Sequence, residues 1–120
     1  MIKDAFNYIG NKTKLTPQIE QNLDFNSKYL VDVFAGSGVV SANFGGRFEK
    51  TIVNDRLTQL IEIHKHLYKT PVNMVLNEID KWIKLFDLSK TNKEGFIECR
   101  NYYNEFHKDG EDFNPMLLLT

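Results

Sequence analysis

The residues of this chain best suited to hold a ligand are the glycines of Phe34-Ala35-Gly36-Ser37-Gly38 and a later acid, Asp55. A glycine turn lets a ligand come close to the backbone, because no side chain stands in the way and unusual dihedrals cost little. A carboxylate closing the next strand, 17 positions after Gly38, suits accepting hydrogen bonds from both hydroxyls of a ribose. Together these features point to a nucleoside-containing cofactor. The dinucleotide fingerprint is not met, since Ser41 stands three residues after Gly38 where glycine or alanine belongs, and NAD is disfavoured. From these residues alone, an α/β nucleotide binder preferring ATP or NAD stays open as a weaker competing reading.

Other chemistry is sparse. His64, His66 and His107 are scattered and no second cysteine accompanies Cys99, so neither a standard zinc site nor an internal disulfide is expected, and no metal is predicted. Cys99 falls on a helical pattern and reads as a small buried hydrophobe. A formal net charge of -1 does not advertise nucleic-acid binding. Charge is therefore read locally: Lys65, Lys69, Lys81, Lys84, Lys90 and Lys93 lend the second half a positive lean, mostly on faces that read as solvated.

The elements that position the glycine turn follow from pattern. Tyr29 to Phe34 is rich in aromatic and branched residues between turn-formers and reads as a buried strand. The glycine turn follows at once. Val39, Val40, Ala42 and Phe44 then suit a helix stopped by Gly45-Gly46, and a second short strand covers Thr51 to Asn54. Ahead of this unit, Thr16 as cap and Pro17 predict a short helix to about Leu23. Beyond Asp55, Leu57, Leu60, Ile61, His64, Leu67 and Tyr68 keep one helical face. Thr70-Pro71 opens a further helix to about Phe86, in which Trp82 reads as core. A capping box of Thr91 and Glu94 opens a last one, ended by Asp109-Gly110. The order is strand, glycine turn, helix, strand, and then a mostly helical second half.

Two further segments join the first in a recognisable series. Asn7-Tyr8-Ile9-Gly10-Asn11-Lys12, continued by Leu15, Pro17 and Ile19, resembles the aromatic-x-Gly-x-Lys segment that opens Dam-type (D12 class) DNA adenine N6-methyltransferases. Asp32-Val33-Phe34-Ala35-Gly36-Ser37-Gly38 resembles their Phe-x-Gly-x-Gly cofactor loop, and Asn54-Asp55 their acidic ribose site. Leu88 to Thr91 with Arg100, Tyr103 and Asn104 resembles the helical DNA-recognition region of the phage branch.

The resemblance implies an α/β, Rossmann-like S-adenosylmethionine-dependent methyltransferase fold with an incomplete sheet and a helical DNA-recognition region. Residues 1–56 would be the cofactor-binding part and residues 57–120 a partial target-recognition domain. Tyr8, Gly10, Asn11 and Lys12 would line the methionine end of S-adenosylmethionine, with Lys12 near its carboxylate or the DNA. Phe34, Ala35, Gly36, Ser37 and Gly38 would pass beneath the cofactor, Asp55 would hold the ribose, and Asp32 would assist near the methionine amino group. Lys12, Arg100, Tyr103 and Asn104 would contact double-stranded DNA.

The family transfers a methyl group to adenine N6, an amine made a poor nucleophile by delocalisation into the ring. It uses an Asp/Asn-Pro-Pro-Tyr/Phe segment to accept the amine hydrogens while the aromatic ring stacks on the flipped base. Here Pro17, Pro71 and Pro115 are never adjacent, and no catalytic residue is assigned. With an apolar run at Met116-Leu117-Leu118-Leu119 and only two strands in view, the expectation is an incomplete enzyme with an open sheet edge and unmatched apolar surface. A truncated product, part of a longer enzyme and one half of a split enzyme completed by a second chain all fit. The competing class is a non-catalytic regulatory or DNA-binding subunit that keeps the cofactor fold. A composition of 42% hydrophobic and 26% charged residues, short apolar runs and a polar start at Met-Ile-Lys-Asp lead to an expected cytoplasmic location, in a bacterium or a phage-infected cell, with no membrane contact.

Overall fold

The computed structural model describes residues 1–3, 6, 8–108 and 113–119. Their contacts divide the chain into two compact units, Met1–Ile61 and Glu62–Thr120.

The first unit is built on two parallel strands, β1 (Tyr29–Asp32) and β2 (Lys50–Val53), which pair Leu30 with Thr51 and Asp32 with Val53. Parallel strands cannot be joined by a tight hairpin, so the chain crosses over between them. The crossover is helix α2 (Val39–Phe44), which tightens into a 3-10 turn over Gly45–Arg47 at the two glycines expected to stop it. Leu30 packs with Val39, Val40 and Phe44, and Ile19, Leu23, Phe25 and Phe48 close around them.

β1 is shorter than the expected strand. Past Asp32 the ladder passes to Asn54, whose backbone amide donates to the Asp32 carbonyl while its side-chain amide donates to that of Val33. Val33 and Phe34 are thereby released to begin the glycine turn. The opposite sheet face carries Tyr29, Val31 and Ile52, all apolar and exposed. The result is a mixed helix and strand unit with a small parallel sheet.

Helix α1 (Thr16–Asn22) has Pro17 in its first turn, as expected, but Thr16 is not its cap. A 3-10 turn over Thr13–Leu15 precedes the helix, and the fully buried Thr16 hydroxyl donates back to the Thr13 carbonyl. A non-local clamp, invisible in the pattern, holds the first residues: Asn43 of α2 accepts from the Ile2 amide at 2.7 Å and donates to the Ile2 carbonyl at 2.9 Å.

Helix α3 (Thr58–Lys69) contains the division between the units, and α4 (Val72–Leu85), α5 (Lys93–Phe106) and α6 (Pro115–Leu119) follow. Thr70 does not cap α4, where Pro71 itself takes the N-cap position. The cap of α5 is Asn92 rather than Thr91: the Asn92 side-chain oxygen accepts from the Gly95 amide at 3.1 Å while its nitrogen donates to the Asp87 carbonyl at 2.8 Å. Asparagine meets both ends of the turn at once, accepting through its amide oxygen and donating through its amide nitrogen. The α5 backbone ends at Phe106 with His107 as its C-cap, and the expected Asp109-Gly110 stop lies outside the described residues.

The core of this unit is Trp82 with Cys99 and Leu117, joined by Phe86 and Tyr102. The apolar run expected to be unmatched is a capped helix that is partly buried, while Leu118 stays exposed. The Asn114 side chain accepts from the Met116 and Leu117 amides, and both of those residues are buried. None of the described helices is long and apolar enough to cross a membrane.

Gly95 sets how closely α5 starts against the end of α4, since an added Cβ would stand 2.2 Å from the Phe86 carbonyl oxygen. Gly95→Ala is expected to cost about 1–3 kcal/mol through overpacking. Gly46→Ala, which meets open space, should change stability by no more than about 0.5 kcal/mol. Urea unfolding of each variant, followed by circular dichroism, checks the contrast, and equal midpoints would contradict it.

Candidate functional site

Three separated stretches of sequence meet around one cavity of about 360 Å³ in the first unit. Tyr8, Gly10, Asn11 and Lys12 come from the N-terminal segment, Phe34 to Ser37 from the loop after β1, and Asp55 to Leu57 from the turn after β2. Parallel strands deliver both loops to the same sheet end, because each strand runs in the same direction.

The loop after β1 depends on its glycines. Gly36 has a φ of +55°, and a Cβ there would meet the Tyr8 ring at 3.1 Å, so the position demands glycine on two grounds. Gly38, at φ 78°, turns the chain into α2 as its N-cap and does not line the cavity.

Asp55 joins the two loops. One carboxylate oxygen accepts from the Gly36 amide at 2.9 Å and the other from the Leu57 amide at 3.0 Å. The Leu57 hydrogen bond holds the Asp55 carboxyl below the usual carboxylate range; partial burial opposes it, and the Gly36 and Arg56 amides with the Lys12 charge reinforce it. Lys12 donates to the Phe34 carbonyl and lies 3.9 Å from the buried Asp32, which also accepts from the Ser41 hydroxyl at 3.1 Å. Asp32 contacts the lining residue Lys12 but is not itself part of the cavity lining.

Arg56 and Leu57 also line the cavity, although nothing in the sequence marks them as site residues. Their side chains form no motif, and only their position directly after Asp55 could have suggested them. Of the residues expected at DNA, Arg100 and Tyr103 line a separate cavity within the helical unit. Asn104 is exposed on α5 outside that lining, while the Lys12 ammonium is directed at Phe34 and Asp32. Among the described residues, no group of three or more histidine, cysteine or acidic side chains is placed to hold a metal ion.

Comparison with known proteins gives one consistent result. The family model described as D12 class N6 adenine-specific DNA methyltransferase matches residues 8–120. The chain is similar to the Type II methyltransferase M.FokI of Planomicrobium okeanokoites, at 37% identity over 89% of this chain and 16% of that protein. It is similar to the modification methylase StsI of Streptococcus sanguinis, at 35% identity over 86% of this chain and 16% of the relative. The modification methylase LlaI of Lactococcus lactis subsp. lactis is 26% identical over 98% of this chain and 18% of its own length. The chain thus spans about a sixth of the relatives it matches.

A carboxyl whose pKa is lower in the folded than in the unfolded chain adds stability that is complete above the unfolded value. That stability is lost as pH falls through the folded value. Asp55, with an ordinary value of 3.8, is such a group. Asp55→Asn should therefore melt below the wild-type chain at pH 7, with the gap closing as pH drops below 3.8. Thermal melts across pH measure this, and coincident curves at pH 7 would refute it.

Proposed function

This chain belongs to the D12 class of N6 adenine-specific DNA methyltransferases, and from that premise we propose that it forms the S-adenosylmethionine-binding part of an enzyme methylating adenine N6 in double-stranded DNA. In this reading residues 1–56 bind the cofactor and residues 57–120 contribute part of the DNA-recognition domain. The observation that carries it is the gathering of the N-terminal, glycine-loop and Asp55 segments around one cavity.

The residues present fit the cofactor. A carboxylate offers about four acceptor positions. Asp55 uses one on each oxygen for the Gly36 and Leu57 amides, which leaves acceptor capacity for two ribose hydroxyls. The backbone around Gly36 lets the ligand approach, with the Tyr8 ring filling the side that a Cβ would occupy. Tyr8, Gly10 and Asn11 would bound the methionine end. Lys12, tied to the Phe34 carbonyl and Asp32, would hold the loop in shape and place a positive charge toward the methionine carboxylate.

Bound S-adenosylmethionine would supply an electrophilic methyl group on its sulfonium sulfur. Accepting the hydrogens of the adenine amine is the work of the family's Asp/Asn-Pro-Pro-aromatic segment, which these 120 residues do not contain. This chain alone is therefore expected to bind cofactor without turnover. The names of its relatives suit a modification enzyme, and a cytoplasmic location is part of this proposal. A second reading, a non-catalytic regulatory or DNA-binding subunit, draws on the exposed apolar sheet face of Tyr29, Val31 and Ile52, which suits a protein neighbour. It predicts a stoichiometric complex in which the catalytic chain carries its own cofactor.

Calorimetric titration of the chain with S-adenosylmethionine, with ATP and NAD as controls, tests the main reading. Asp55→Ala should weaken binding by about ten-fold or more, since it removes charge-assisted hydrogen bonds to the ribose. Unchanged affinity in a folded variant removes Asp55 from the site, and preference for ATP or NAD rejects the cofactor assignment.

A further inference from the structure

The cavity in the helical unit has a volume of about 440 Å³, in the ordinary range for a ligand site, and the reading above gives it no ligand. Its floor is apolar, made by Ile83, Leu88, Cys99 and Leu117. Phe96 and Tyr103 add ring surface, and Phe96 is left 56% exposed although α5 is well capped beside it. Among the described residues, the charged side chains in the lining are both cations, Lys90 and Arg100, with the Ser89 hydroxyl next to Lys90. The Arg100 guanidinium lies over the Phe96 ring, 5.9 Å from its centroid. Burial pushes the Cys99 thiol up, so the floor adds no negative charge at neutral pH.

An apolar chamber with ring faces and only positive charge suits a planar body that ends in an anion. Nucleobases stack on aromatic and guanidinium faces, and their phosphates pair with arginine and lysine. A fatty acid would satisfy the floor and the cations but would leave the Arg100–Phe96 platform unused.

We propose that this cavity takes a single nucleotide unit, its base against Phe96 and Tyr103 and its phosphate at Lys90 and Arg100. This goes beyond flat contact between α5 and a duplex, because it requires a nucleotide standing out of the stack. The source rests on the DNA reading above; a free nucleoside monophosphate carries the same chemistry.

Two measurements on the whole chain separate the outcomes. Fluorescence anisotropy compares a duplex carrying one unpaired nucleotide with its fully paired counterpart. Alkylation of Cys99 is followed with thymidine monophosphate or inorganic phosphate present. The unpaired-nucleotide duplex is expected to bind at least about ten-fold tighter, the value of one stacked base, and Phe96→Ala and Arg100→Gln should each erase the preference. Thymidine monophosphate should slow alkylation where inorganic phosphate does not. Protection by the mononucleotide without binding of either duplex would keep the nucleotide site and reject DNA as its source, and with it the DNA role of this unit. Equal affinity for the two duplexes with no protection overturns the proposal whether or not DNA binds, and so does equal protection by inorganic phosphate. Both substituted side chains are exposed, and the fluorescence of Trp82, the chain's single tryptophan, reports folding in each variant.

Discussion

A carboxylate placed between two loops is the interaction on which the first unit depends. Gly36 is held at positive φ with its amide directed away from the sheet ladder, and that amide needs an acceptor. Asp55 provides it and takes the Leu57 amide on its other oxygen, so the loop after β1 and the turn after β2 are fixed together. The Lys12 contact to the Phe34 carbonyl then brings the N-terminal segment to the same place. Without the acid, the Asn54 contacts and the Lys12 hydrogen bond would still hold the three segments near one another, but the Gly36 and Leu57 amides would lose the acceptor they share.

The helical unit reaches its form by a different route. Its organising device is a close approach at the α4–α5 corner, where Gly95 passes the Phe86 carbonyl and Asn92 spans from Asp87 to Gly95. That corner brings Phe86 and Tyr102 against Trp82 and leaves Phe96 and Arg100 at the edge of the cavity. Packing and recognition surface are therefore two sides of the same short turn. A residue chosen for a tight backbone passage also decides where the exposed ring and the guanidinium stand.

Much of the fold was legible in the residues, but not all of it. Strand β1, the stop at Gly45-Gly46 and the existence of α3 and α4 follow from periodicity and glycine, which act over a few residues. The expected faces do not, since Leu57, Tyr68, Val72 and Leu76 are exposed while Ile63, off the expected α3 face, is buried. Caps fall elsewhere than Thr16, Thr70 and Thr91: Leu15 and Pro71 hold the first two positions with no side-chain cap, and at α5 the Asn92 side chain spans the turn in place of Thr91. The Asn43 clamp on Ile2 and the pairing of Asp32 with Lys12 depend on contacts distant in sequence, to which local pattern is blind. Tyr8, Lys12, Gly36 and Asp55 were legible as a group through resemblance and the glycine turn; Arg56 and Leu57 carry no signal in their types and enter by adjacency alone.

The two-stranded sheet has a dynamic consequence. In a parallel pair, successive amides of one strand point alternately to its two sides, so a strand with a single neighbour hydrogen-bonds only every second one within the sheet. Among the described residues, β1 and β2 each have one strand neighbour. Protection against hydrogen–deuterium exchange should alternate along each strand, and a neighbour that adds to either edge would register as slow exchange at the intervening amides, giving a residue-by-residue reading of where the sheet is extended.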